Sequence, residues 1–314
     1  MSNKRILITG AAGFIGSHLA RRLVCDGHQV FALRTGGGGA PRLRDLESQL
    51  VELPVNMQDA GAVADAVWEV QPEIVYHLAS TDFRTAETPA ATHYRVIGLG
   101  TLAILEALRE QGSGRLIVTG SAAEYGDGER LHEQMPLKPS TLLGAAKASA
   151  GILVETYARL YGMETVLLRL FTPYGPWEHP ARLIPSAIAA ALAGRPLKIR
   201  GGAQQRDFIY IDDVVEALVL AGQEQLPKPA VMNLCSGQGR AVRDVAALAL
   251  VLAGSEAVPE TGGAMRPDEI VTCSGDWREA ERLLGWRPST AIEQGLRATI
   301  EWFKENPEWG NCCN

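Results

Sequence analysis

Thiols are scarce in this chain: five cysteines in 314 residues, at Cys25, Cys235, Cys273, Cys312 and Cys313. Their number is odd and none stands at a metal-binding spacing, so neither a disulfide framework nor a cysteine metal site is expected, and a reducing cytoplasm suits them. The adjacent pair Cys312 and Cys313 reads as part of an exposed, frayed tail. Basic runs are lacking too. With a formal net charge of −6 and no cluster of Lys and Arg, the chain is not expected to present a nucleic-acid surface. An anionic ligand would need a local site rather than a general field. No apolar run approaches the roughly 20 residues that cross a bilayer. The opening MSNKRILITG has neither the apolar core nor the cleavage site of a signal peptide. The expectation is therefore a cytoplasmic protein with no membrane segment, no nucleic-acid partner and no metal. What remains, 46% hydrophobic and 21% charged residues, is the composition of a globular chain, long enough for one large domain or two unequal ones.

The first two-thirds alternates short apolar runs with amphipathic stretches. RILITG (5–10), HQVFALR (28–34), LVELPV (50–55), EIVYHLAS (73–80), RLIVTGS (115–121) and TVLLRLF (165–171) read as strands. Helical patterns near 14–26, 59–70, 97–111 and 144–161 separate them. Strands spaced by helices imply right-handed βαβ crossovers and a doubly wound parallel sheet. After Phe171 the pattern changes: Pro and Gly crowd TPYGPWEHPARLIP, RDFIYIDD opens another strand, and the chain from about 237 reads as helical with irregular loops. The expected fold class is α/β, a Rossmann-like sheet with a smaller, mostly α lobe. Residues 1–170, rejoined by 206–236, would form the first unit, and 171–205 with 237–314 the second. The glycine run at 36–39 reads as a flexible loop.

ITGAAGFIGSHLA sets Gly10, Gly13 and Gly16 between the first strand and the first helix. The first allows a tight turn, the second lets backbone approach a pyrophosphate, and the third lets the helix lie close to the sheet. The helix N-terminus then offers N–H groups and dipole to phosphate. Three glycines mean little alone, but in a βαβ unit after an N-terminal strand they point to a dinucleotide. An acid at the end of the second strand would mark NAD by bonding the ribose 2′-hydroxyl. Arg34 stands there instead, and a guanidinium pairs with a 2′-phosphate. NADP is expected, with NAD possible and a solvated loop arginine as the alternative.

Together with that glycine turn, YHLAS (76–80), GSAAEYG (120–126), Lys147, RLFTPYGP (169–176), RDFIYIDDV (206–214), RPDE (266–269) and LGW (284–286) resemble the extended short-chain dehydrogenase/reductase family, in its nucleotide-sugar branch of epimerases, 4,6-dehydratases and 4-keto reductases. The resemblance spans nearly the whole chain. It implies a nucleotide-diphosphate sugar as partner, with Phe14, Ile15, Leu78, Ala79 and Lys147 beside the glycines and Arg34 at the cofactor, and Ser80, Glu124, Arg206 and Arg266 at the substrate. In that family a Ser or Thr, a Tyr and a Lys work as a unit: Tyr exchanges a proton with the sugar oxygen while hydride moves, and Lys lowers the Tyr pKa. Ser121 and Lys147 match two of the three. The third position is Leu143, four residues before Lys147 in STLLGAAK, and a hydrocarbon has no proton to give. Ile97 in IGLGT, and Thr172 with Pro173 before YGP, also depart from the family pattern.

Three accounts of Leu143 stand open. A neighbour could carry the proton: Tyr125, Glu124, His179 in WEHP, or Ser121 through water. The protein could bind without efficient turnover, or the leucine could be a deliberate substitution that traps a complex. Dehydratases of the family carry an Asp-Glu pair where this chain has Ala122 and Ala123, so elimination of water is not expected. Reduction of a 4-keto-6-deoxy sugar nucleotide by NADPH is favoured, since GSAAEYG and VMNLCSGQGRAVRDV (231–245) look similar to segments of GDP-4-keto-6-deoxymannose reductases. A 4-epimerase, and a catalytically silent binder, are the alternatives. Arg206 and Arg266 would grip diphosphate, or instead pair with Asp212, Asp213 or Asp268; Arg182 is a weaker candidate, and His77 is expected to pack rather than react. The helix of Lys147 is rich in small residues (Gly144, Ala145, Ala146, Ala148, Ala150, Gly151), and related enzymes pair such helices, so the resemblance also implies a homodimer.

Overall fold

The computed structural model describes residues 3–35, 40–81, 88–265 and 268–311. Arg266, the glycine run at 36–39, Cys312 and Cys313 lie outside the described residues. Seven strands form the central sheet: Arg5–Thr9 (β1), Gln29–Arg34 (β2), Leu50–Pro54 (β3), Ile74–His77 (β4), Arg115–Ser121 (β5), Glu164–Leu170 (β6) and Ala230–Leu234 (β7). They are all parallel, in the spatial order β3-β2-β1-β4-β5-β6-β7. The order reverses between β1 and β4, and that reversal opens a crevice at the carboxyl ends of those strands.

The strands read as unbroken apolar runs because both faces of the sheet are covered. Ile6 and Ile8 join one core with Leu19 and Leu23, while Leu7 joins the other with Val67, Ile104 and Val154. Helix α1 (Phe14–Cys25) lies on the first face beside the helix Ile211–Gln223. Helices α2 (Ala60–Val70), α3 (Gly100–Gln111) and α4 (Leu142–Tyr161) cover the second. Local chemistry sets the ends. The Asp59 side chain accepts the Ala62 N–H at the start of α2, Thr141 accepts that of Gly144 at the start of α4, and Gly162 closes α4 with φ +66°. A wider π turn at Tyr94–Leu99 precedes α3, so the helical path there begins earlier than the periodicity predicts.

The strand of RDFIYIDD, Gln205–Tyr210, stays out of the main sheet. It pairs in parallel with Thr172–Tyr174 and antiparallel with Gly239–Ala241. The chain regains the main sheet only with the helix Ile211–Gln223 and β7. The C-terminal part, expected to be helical and irregular, also holds the short strands Glu260–Gly262 and Cys273–Gly275. Its helices Val242–Leu252 and Ile292–Glu305 pack on Leu183–Leu192 and on the small sheet, while Arg278–Leu284 packs on β7 and on the helix Ile211–Gln223. Among the described residues no helix is long and apolar enough to cross a membrane, and no group of three or more metal-binding side chains occurs.

Candidate functional site

A cleft of about 860 Å³ opens at the carboxyl edge of the sheet, lined by residues of the glycine turn, of β2 and β5, of the segment after β4, of α4 and of the loop 173–182. Gly10 turns the chain out of β1 with φ +72°, where a Cβ would stand 2.8 Å from the Ala79 nitrogen. A Cβ on Gly16 would overlap the Gly10 carbonyl, so α1 can start this close to the strand only without one. Gly13 is the N-cap of α1 and supplies no side-chain cap. The first-turn N–H groups are thus left for a ligand, on a turn whose residues line the cleft. These features fit a dinucleotide diphosphate. Gly10, Gly13, Phe14, Ile15, Gly16, Arg34, Leu78, Ala79, Ser80, Ser121, Leu143 and Lys147 all line this one cleft.

Leu143 and Lys147 stand one turn apart on α4 and share the cleft wall with Ser121 and Thr119. Lys147 is buried, and its Nζ donates to the Thr119 carbonyl at 2.7 Å. Burial lowers its pKa to about 8, against the opposing pull of Glu124. Ser121 ends β5 and caps the short turn 122–124, its hydroxyl accepting the Ala123 N–H at 3.2 Å. Gly144 lets α4 begin against the Ala123 carbonyl, since a Cβ would overlap that oxygen. Absence of a side chain thereby sets the spacing between the Ser121 turn and the Lys147 helix.

Glu124 and Tyr125, expected at the reacting oxygen and the substrate, are corrected by the structure: both point beneath the cleft. Glu124 is fully buried; one oxygen accepts the Ser121 N–H at 2.7 Å and the other accepts from Arg169 Nε at 2.8 Å. The Tyr125 hydroxyl donates to Asn233 at 2.8 Å and accepts from Arg169 Nη1 at 3.1 Å. Desolvation pushes its pKa up to about 12, which disfavours proton exchange near neutrality. A buried arginine must be paired to be tolerated, and these two residues are the pair. The signal was legible: Arg169 interrupts an otherwise apolar strand.

Three further expectations are resolved by geometry. His77 is buried between the Thr9 hydroxyl at 2.7 Å and the Thr101 hydroxyl at 3.0 Å, and burial lowers its pKa to about 3, so it packs as a neutral ring. Arg206 lies outside the cleft lining; it donates to the Ile270 carbonyl at 2.7 Å and pairs with Glu269 rather than with Asp212, Asp213 or Asp268. Arg34 does reach the cleft from the end of β2, but its Nε donates to Glu52 on β3 at 2.6 Å. His179 and Arg182 line the cleft from the second lobe.

The sequence reading missed Glu178. It lines the cleft between Trp177 and His179 and is 5% exposed. A tryptophan cluster secures its loop: Trp177 packs on Trp302 and Trp309, and the Trp309 indole donates to the Glu178 carbonyl at 2.9 Å. Arg42 donates to the Trp177 carbonyl at 2.9 Å and His18 Nε2 lies 2.9 Å from that of Pro176, which ties the loop to the glycine-turn helix.

The chain is similar to known proteins over nearly its whole length. The model of the "NAD dependent epimerase/dehydratase family" matches residues 6–235. UDP-glucose 4-epimerase of Mycolicibacterium smegmatis is 30% identical over 97% of this chain and all of its own length. The dTDP-glucose 4,6-dehydratase 1 of Escherichia coli is also 30% identical, over 97% of this chain and 94% of its own. The structure is similar to that of Thermus thermophilus UDP-glucose 4-epimerase in complex with NAD, with TM-score 0.87 and 28% identity over 96% of this chain and 99% of the other. A cleft at the sheet's switch point, built on a glycine turn and closed by a second lobe, defines a dinucleotide-dependent enzyme of the short-chain dehydrogenase/reductase type. The chain belongs to the NAD-dependent epimerase/dehydratase family, whose members here act on nucleotide sugars.

Proposed function

We propose that this protein transfers hydride to a 4-keto-6-deoxy nucleotide-diphosphate sugar, with a nicotinamide dinucleotide as donor and with altered proton transfer. One observation carries the reading: Leu143 and Lys147 stand one helical turn apart on the wall of the cleft, with Ser121 on the same wall. In the family that turn carries Tyr and Lys, so a hydrocarbon occupies the place of the proton donor. Reduction tolerates this best, because the alkoxide it forms can be stabilised by Lys147 and Ser121 and protonated from water. An epimerase needs the same oxygen to lose and regain a proton and would suffer twice. Ala122 and Ala123 offer no carboxylates for elimination. A bound dinucleotide supplies the hydride; the chain's own residues hold it, orient the sugar and exclude water.

For the cofactor, Arg34 at the end of β2 favours NADP, and its pairing with Glu52 tempers that preference, since the carboxylate must share the guanidinium with a 2′-phosphate. The sugar nucleotide is assigned to the side of the cleft where His179 and Arg182 of the second lobe face Ser80. A 4-epimerase is the second reading, carried by the UDP-glucose 4-epimerase relatives. The test mixes protein with NADPH or NADH and a panel of 4-keto-6-deoxy sugars on UDP, dTDP and GDP, following absorbance of the reduced nucleotide. Slow oxidation is expected, faster with NADPH, and Leu143→Tyr should raise turnover by about 10²–10⁴. Tight dinucleotide binding without oxidation of any substrate, in either protein, would mean a silent binder.

A further inference from the structure

Glu178 stands out among the buried polar groups. Its Oε1 accepts from Arg182 Nε at 3.4 Å, a long contact, while Oε2 is shut off from solvent without a hydrogen-bond partner among the described residues. Native proteins rarely leave such an atom unsatisfied, and since Glu178 is a residue of the cleft lining, a ligand in the cleft is the natural partner. The residue belongs to the 176–178 segment, which His18 and Arg42 tie to α1 and to the turn after β2. Arg42 also donates to the Ala12 carbonyl at 3.4 Å, so this segment and the phosphate-facing glycine turn share one set of contacts.

We propose that Glu178 is a ligand-binding residue of the cleft, which as a neutral carboxylic acid donates the Oε2 proton to an oxygen of the bound diphosphate-bearing ligand. The inference rests on the dinucleotide reading above and adds to it a proton that accompanies the ligand. Only the protonated acid can donate to an anionic oxygen; the carboxylate would repel it. Burial supports the neutral form, raising the pKa from the ordinary carboxylate range to about 7, against the smaller opposing effect of Arg182. The charged and titratable groups around it are Arg182 and His179 on its own loop, Arg42, Arg21 and His18 on the segments packed against that loop, Glu308 beside Trp309, and Lys147 on the cleft wall. Burial holds His18 near 4, so it stays neutral through the relevant range.

The sign follows directly. A ligand that binds the protonated form meets a competent population that shrinks as pH rises through about 7, so affinity falls by about tenfold between pH 6 and 8. NADH is the probe, because its diphosphate does not titrate in that range, and binding is read by nucleotide fluorescence. Titration calorimetry at pH 8 in buffers of different ionisation enthalpy should show uptake of about one proton per NADH. Glu178→Gln, which keeps the shape and a donor, should bind at pH 8 as wild type does at pH 6, with no slope and no proton uptake from this site. Lys147 titrates alike in both proteins and cancels in the comparison. A flat wild-type profile, or the same slope and uptake in Glu178→Gln, overturns the proposal while leaving the dinucleotide reading intact. Failure of folded wild type and variant to bind NADH at any pH overturns both.

Discussion

At the scale of single residues, Arg169 and Glu124 show why chemical type alone misassigns roles. Glu124 follows the strand-end serine by three positions and invites a catalytic reading, yet its carboxylate is spent on Arg169 and on the Ser121 backbone. Removing one partner of a buried pair leaves an uncompensated charge, which costs about 3–5 kcal/mol. Glu124→Gln should therefore lower the unfolding free energy by that amount, read as a lower urea midpoint at unchanged slope, and the turn that presents Ser121 should loosen. A loss under about 1 kcal/mol would show that the pair does not hold the turn. Leu143 belongs to the same scale: it stands on the cleft wall one helical turn before Lys147.

At the scale of elements, the site depends on how closely two helices begin against the ends of two strands. Gly10 and Gly16 let α1 start directly on β1, and Gly144 does the same for α4 against the turn after β5. Because the obstructing atoms belong to the backbone, added volume can be absorbed only by moving a whole element. Gly16→Ala should push α1 from the turn and weaken NADH binding at least tenfold, with a smaller loss in thermal stability. Binding within twofold of wild type would show that the first turn of α1 does not contact the phosphates. The small residues of α4 serve this inward packing: a Cβ on Gly151 would stand 2.9 Å from Leu167 Cδ2. Of the small residues that the sequence reading assigned to a subunit contact, Gly144, Ala146, Ala148, Ala150 and Gly151 are buried within the chain and Ala145 is exposed.

At the scale of the molecule, exposed large apolar side chains are spread over several elements, α4 and the segment before α3 among them. Ile152, Leu160 and Tyr161 are exposed on α4, and Tyr94 and Leu99 before α3 are exposed as well. Exposed apolar side chains on adjoining elements suit a contact surface, and we infer a homodimer formed across α3 and α4. Light scattering should give twice the chain mass, and Ile152→Glu should give a folded monomer. A wild-type monomer at micromolar concentration would remove this inference. The tryptophan cluster of Trp177, Trp302 and Trp309, with Arg21 and Arg42 stacked on two of its rings, fastens the second lobe to α1.

The amino-acid sequence by itself determined the alternation of strands and helices, the parallel sheet, the glycine turn and the cofactor edge of the cleft. These rest on local periodicity and on backbone conformations that only glycine allows, both visible in contiguous residues. It also marked Leu143 against Lys147, since a helix fixes what stands four residues away. Only the tertiary structure decided which carboxylates face the cleft. Glu124 is turned inward by an arginine 45 positions along the chain, Arg206 is engaged by Glu269, and Glu178 is placed on the wall by a tryptophan 131 positions away. Burial and pairing of charge depend on contacts between segments remote in sequence, and no local pattern encodes them.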